Sequence, residues 1–87
     1  MNKIHPDLSK LKESWPSPYV SRDKVSEFSG GILHPRTLAN LDALGIGPKG
    51  RIRVNGKKVA YSVDALVEWL EERSNIVEEK ERNHDLQ

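Results

Sequence analysis

The spacing of apolar residues along the chain changes twice. Val25 and Phe28, and then Leu38, Leu41 and Leu44, recur every three positions; from Arg51 to Tyr61 the pattern has period two, and from Val63 to Leu70 the helical spacing returns. The central helical stretch is His34 to Gly47, H-P-R-T-L-A-N-L-D-A-L-G-I-G. Pro35 suits the first helical position, where its missing N–H would have no partner. The proline also holds His34 extended, so the helix is not expected to begin earlier. Leu38, Leu41 and Leu44 form the expected apolar stripe, and Arg36, Thr37 and Asn40 occupy another face. Gly45 suits a left-handed cap, and Gly47-Pro48 blocks continuation.

A shorter helix is expected just before. Ser21 is placed to cap it, Val20 to staple back onto it, and Val25 and Phe28 to bury one side over two turns. Ser29-Gly30-Gly31 ends it. After the second helix, Asn55-Gly56 stands between two alternating runs and predicts a two-residue hairpin loop, because both residues tolerate positive φ. That loop would pair Val54 with Lys57, Arg53 with Lys58 and Ile52 with Val59. Ile52, Val54, Val59 and Tyr61 would then share an apolar face, and Arg51, Arg53 and Lys58 a basic one. Ser62 is expected to cap the last helix, with Asp64 in its first turn. Val63, Leu66, Val67 and Leu70, with Trp69 beside them, are its core side, and Glu68, Glu71 and Glu72 its solvent side. Ile76 and Val77 would extend the stripe by two turns. Residues 1–19 read as a flexible or weakly helical arm, with Trp15-Pro16-Ser17-Pro18-Tyr19 outside regular structure. Trp15 and Tyr19 would lay that arm across the domain, or Trp15 would meet a partner.

Eighty-seven residues allow one domain, with a marginal core. The division is an arm over 1–19, a domain over 20–73 and an acidic extension, frayed or disordered, over 74–87. There is no cysteine, and so no disulfide or thiolate metal site. No apolar run approaches the ~18 residues of a membrane span, and the first residues lack the apolar core of a secretory signal. A cytoplasmic protein without membrane contact is expected. His5, His34 and His84 have no metal-ligand spacing. No phosphate-cradling glycine loop is present, and no set of residues suggests an active site. Neither enzyme activity nor a cofactor is expected.

Net charge is only +1, but it is unevenly distributed. Met1 to Tyr61 holds eleven Lys/Arg against five Asp/Glu, and Ser62 to Gln87 three against eight. A basic body suits a polyanion, and an acidic end suits something else or plain solubility. A guanidinium, a hydroxyl and a carboxamide on one helical face are groups that read phosphates and base edges in a major groove. Arg36, Thr37 and Asn40 are therefore candidate DNA contacts from a recognition helix. Arg51, Arg53 and Lys58 are candidates from the hairpin, and Arg22, Lys24, Lys49 and Lys57 are further basic candidates. The alternatives are an ordinary polar helix face and an edge hairpin whose cations prevent strand aggregation. Helix, turn, helix and basic hairpin in this order predict an α+β fold of the winged helix-turn-helix kind, with a two-stranded wing and a C-terminal helix.

With P-R-T-L-A-N at 35–40, G-I-G-P at 45–48 and the Tyr61 to Leu70 segment ending in W-L, the chain resembles the MerR-like winged helix-turn-helix of small excisionases and AlpA-type phage or genomic-island regulators. The likeness spans about Val20 to Arg73. His34 stands where that family often has Ser, and the arm is longer than a minimal excisionase needs. The resemblance implies a second helix in the major groove and a wing on the adjacent backbone. It implies double-stranded DNA as partner, a phage or island integrase as a further one, and side-by-side self-association on repeated sites. MerR proper carries a long dimerising coiled coil and an effector domain; nothing in these residues is long enough for either, so no small-molecule effector is expected. The first reading is a sequence-specific DNA-binding excisionase that binds and bends attachment-site repeats to steer an integrase; an AlpA-type transcriptional regulator on the same fold is the alternative, and a protein-interaction module that binds no DNA a remote one.

Overall fold

A computed structural model describes residues 4–77. Its elements run α1 (Lys10–Glu13), β1 (Tyr19–Ser21), a single 3-10 turn (Arg22–Lys24), α2 (Val25–Phe28), α3 (Pro35–Ala43), β2 (Ile52–Val54), β3 (Lys58–Ser62) and α4 (Val63–Glu72). The fold is α+β: four helices and a three-stranded antiparallel sheet of order β1-β3-β2 among the described residues. The third strand corrects the two-stranded expectation. Tyr19, Val20 and Ser21 pair with Ser62, Tyr61 and Ala60, so the chain after Pro18 enters the sheet. Two nearby prolines hid this strand, since they mask a short extended run without forbidding one at their end.

The hairpin is also corrected. Asn55 and Gly56 do take positive φ, 56° and 71°, and Lys57 N donates to Val54 O at 3.1 Å. The ladder, however, pairs Val54 with Lys58, Arg53 with Val59 and Ile52 with Ala60. Lys57 is an extra residue on one strand, a bulge directly after the turn. A slip of one residue exchanges the two faces of a strand. Ile52 and Val54 therefore share a side with Lys58 and Ala60 and are exposed, and Arg53 shares one with Val59. The expected apolar and basic faces of the hairpin do not form as sets.

Val20, Val59 and Tyr61 make the buried side of the sheet, and Val25, Phe28, Leu33, Leu38 and the Leu66–Leu70 face of α4 pack with them in one core. In α3 the buried positions are Leu38 and Asp42, one turn apart. Leu41 is half-buried, and Leu44 is 71% exposed and leaves the expected stripe. Gly45, at φ 79°, ends the helix as expected. Ser21 does not cap the next element by its side chain; its Oγ donates to Asp23 Oδ1 at 2.5 Å. The expected two-turn first helix is split into the 3-10 turn and α2, with Val25 and Phe28 buried as the spacing required. Ser29 closes it: its Oγ donates to Val25 O at 2.7 Å and accepts from Leu33 N at 2.8 Å. Ser62 caps α4 as expected, accepting from Ala65 N at 3.0 Å.

The arm is part of this body. Leu8, Leu11 and Trp15 pack on the core, and Trp15 meets Phe28 edge-on at 5.4 Å between ring centroids. Leu8 N donates to Glu71 at 2.7 Å, so Glu71 is not the solvent-facing residue expected. α4 stops at Glu72, and the next residues leave the helix: Ile76 N donates to Ile4 O at 2.9 Å, and both Ile76 and Val77 are exposed. They do not extend the stripe. The acidic extension beyond Val77 lies outside the described residues.

Trp15→Ala removes an edge-to-face aromatic contact and half-buried apolar surface. It should lower unfolding free energy by about 2 kcal/mol, below the cost of truncating a fully buried Trp. Urea denaturation of the full chain measures this; an unchanged midpoint would mean the arm is not seated on the core.

Candidate nucleic-acid interface

Arg36, Thr37 and Asn40 all stand on the exposed side of α3. The burial of Leu38 and Asp42 fixes this: with those two turned inward, positions 36, 37 and 40 must turn outward on a 3.6-residue helix. Among the described residues their side chains make no hydrogen bond or ion pair within the chain. The hairpin approaches the same helix at two places. Arg51 at its root reaches Asp42 in the last turn of α3, and Lys57 and Lys58 line a shallow groove of about 230 Å³ with Pro35 at the first turn.

The basic candidates divide by surroundings. Arg53 and Lys57 are exposed and make no ion pair among the described residues, and Lys49 stands exposed in the loop after α3. Lys58 lies on the opposite side of the hairpin from Arg53 and is 3.4 Å from Asp23. The Asp23 carboxyl is held below its usual range, chiefly by the Ser21 hydroxyl and also by Lys58. Lys24 pairs with Glu27 at 3.8 Å. Arg22 is turned inward. The structure thus brings Arg36, Thr37, Asn40, Arg53 and Lys57 to exposed positions on α3 and the adjoining hairpin, and leaves Arg22, Lys24, Arg51 and Lys58 each beside a carboxylate.

Asp42 is the residue that sequence reasoning passed over. Its side chain is 5% exposed, and Arg22 Nη2 donates to its Oδ2 at 2.6 Å. The Tyr61 hydroxyl donates to the same oxygen at 2.6 Å and accepts from Arg22 Nε at 2.9 Å. Oδ1 is buried without a hydrogen bond, and Arg51 Nη1 is 3.6 Å away. A side chain at Gly47 would collide with this Oδ1. Asp42 also sits near the C-terminal end of α3, where the helix dipole disfavours a carboxylate, and the two arginines lie against it there. One signal was visible: Asp42 follows Leu38 by four residues, a charged residue on the buried side of the helix. Burial pushes the Tyr61 phenol above its usual value, and its hydrogen bond to Asp42 acts the same way. Burial acts against the Arg22 charge, but hydrogen bonds to Tyr61 and Asp42 more than offset it, and its pKa is raised.

Among the described residues no three His, Asp or Glu side chains gather as metal ligands, and no helix is long and apolar enough to cross a membrane. Comparison with protein-family models, with curated proteins and with solved structures found no match for this chain.

Two outcomes are expected of the Asp42 cluster. Asp42→Asn leaves Arg22, whose side chain is only 25% exposed, without its counter-charge. It should cost about 3 kcal/mol, the low end for breaking a buried pair, measured by chemical denaturation. A loss below about 1 kcal/mol would mean the pair is solvent-screened. The second concerns pH. Tyr61 holds its proton more tightly folded than unfolded. Its contribution is therefore whole below the unfolded value of about 10 and is lost as pH rises through the higher folded value. Tyr61→Phe should be less stable by about 1.5 kcal/mol at neutral pH, yet should lose less stability than the parent above pH of about 10. Parallel alkaline unfolding curves for the two proteins would disprove the linkage.

Proposed function

We propose that this chain is a sequence-specific DNA-binding protein of the winged helix-turn-helix kind. The observation that carries the reading is one juxtaposition: Arg36, Thr37 and Asn40 exposed on α3, beside a hairpin whose Arg53 and Lys57 are exposed along its length. In this reading α2, the Gly30-Gly31 turn and α3 are the helix-turn-helix. α3 enters the major groove and reads base edges, and the hairpin rests on the neighbouring backbone. Lys49 adds a further phosphate contact. The sheet carries its third strand, β1, on the side of β3 away from β2, so the wing projects without an edge partner. No catalytic step, cofactor or effector enters the reading, and its setting is the cytoplasm.

Within that class we favour an excisionase, a recombination directionality factor that binds attachment-site repeats, bends the DNA and steers an integrase. The motifs around 35–40, 45–48 and 61–70 support this. A module with so few reading groups also binds weakly alone and gains affinity from side-by-side copies. An AlpA-type transcriptional regulator would use the same surface, so the choice between them rests on the assay.

The test is a mobility-shift titration on DNA flanking the gene, at two salt concentrations and with unrelated competitor. A ladder of competitor-resistant shifts that weakens with salt is expected, and an excision assay with the neighbouring integrase then separates excision from transcription control. Arg36→Ala and Asn40→Ala should each lose about 1–3 kcal/mol of discrimination between specific and unrelated DNA. Arg53→Gln should weaken binding to all sequences and lower the salt slope by about 0.9. Competitor-sensitive smearing, or no binding, would overturn the reading and direct attention to a protein partner.

A further inference from the structure

Arg51 and Arg53 carry the same charge two residues apart, and strand alternation puts them on the same side of the hairpin. Their surroundings differ. Arg51 Nη1 is 3.6 Å from Asp42 Oδ1, and Arg53 has no ion-pair partner among the described residues. β2 needs an anchor. It is three residues long, pairs only with β3, and none of its side chains is buried in the core. β1 covers only residues 60–62 of β3, so towards its tip the hairpin is two-stranded, and a two-stranded ribbon has little stability of its own in water.

Asp42 is built to supply the anchor. Its Oδ2 already takes Arg22 and Tyr61. Its Oδ1 is buried with no hydrogen bond, in space that exists only because residue 47 is glycine. Among the described residues the cation paired with Oδ1 is Arg51, which is 41% exposed and stands at the start of the hairpin. A carboxylate shares its charge over both oxygens, so Arg22 balances it at Oδ2 and Arg51, from the hairpin root, at Oδ1.

We propose that Asp42 is a positioning residue that tethers Arg51, and with it β2, to the last turn of α3, so that the angle between recognition helix and wing is set before DNA is met. Arg51 is then an internal tether and makes no phosphate contact. The proposal rests on the DNA-binding reading for its purpose, but the tether is a property of the protein alone and is measurable without DNA.

The experiment compares Arg51→Gln with Arg53→Gln in the full chain. Amide hydrogen exchange over residues 52–60 is read first, without DNA. Arg51→Gln should speed exchange in the hairpin several-fold while leaving α4 unchanged, and Arg53→Gln should leave both unchanged. Equal hairpin exchange in the two variants would overturn the tether. The salt dependence of DNA binding is read second. Arg51→Gln should bind more weakly with the parent's slope, whereas Arg53→Gln should lower the slope by about 0.9. An equal fall in slope for Arg51→Gln would make Arg51 a phosphate contact and overturn the second half of the proposal. If the parent shows no salt-dependent DNA binding, the functional reading fails, and the exchange comparison still decides the tether.

Discussion

The Asp42 carboxylate is the point on which this small structure turns. A buried charge is tolerated only when paired and hydrogen-bonded, and each partner of Asp42 comes from a different part of the chain. Arg22 comes from the turn before α2, Tyr61 from the central strand, and Arg51 from the root of the hairpin. Satisfying one side chain therefore fixes the first helical segment, α3, the sheet and the hairpin relative to one another. An apolar residue at 42 would serve packing equally well, but it would set no directions. The hydrogen bonds specify how α3 lies on the sheet, and that orientation determines which face of the helix meets solvent.

The bulge at Lys57 works with this constraint. In a two-residue loop, Ile52 would pair with Val59 and share the core side, and Arg51 would stand on the outward face. The extra residue exchanges the sides of the first strand relative to the second, so Arg51 lies on the side of Val59 and Tyr61 and can reach Asp42. The same exchange exposes Ile52 and Val54. Burial of two apolar side chains is forgone, and a charged contact between hairpin and helix is formed instead.

What the sequence made legible follows from the range of the forces involved. Pro35, Gly45, Ser62 and the Val63–Leu70 spacing act within one or two turns, and the structure has them where the spacing put them. Asn55-Gly56 gave the turn but not the register. The register depends on what lies beneath the strands, and a contact such as Arg51 with Asp42 leaves no mark in the local spacing. The strand at Tyr19–Ser21 was obscured for the same reason: three residues carry no periodicity, and only Ala60 to Ser62 make them a strand. Of the candidate contacts, Arg36, Thr37 and Asn40 could be placed on one face by helical geometry alone. The division of the cations into exposed and partnered could not, because a lysine or arginine looks the same in sequence whether a carboxylate waits beside it or not.

That division limits how the surface could hold a duplex. With Arg22, Lys24, Arg51 and Lys58 beside carboxylates, the cations near α3 and the hairpin without a carboxylate partner among the described residues are Arg36, Lys49, Arg53 and Lys57. If Arg36 reads a base edge, about three phosphate contacts remain, and at a slope of roughly 0.9 per phosphate one copy would bind with a salt exponent near −3. Typical specific binders make about two to three times as many contacts. Under the proposed reading a single copy would have little electrostatic affinity to spare for bending DNA, a deformation of order 1–6 kcal/mol for a short site. Adjacent copies would supply what one lacks, because linked binding events add without new contacts to each duplex segment. A wing set rigidly against α3 matters most in that situation: the ordering cost is met in folding and is not levied again at each site along the array.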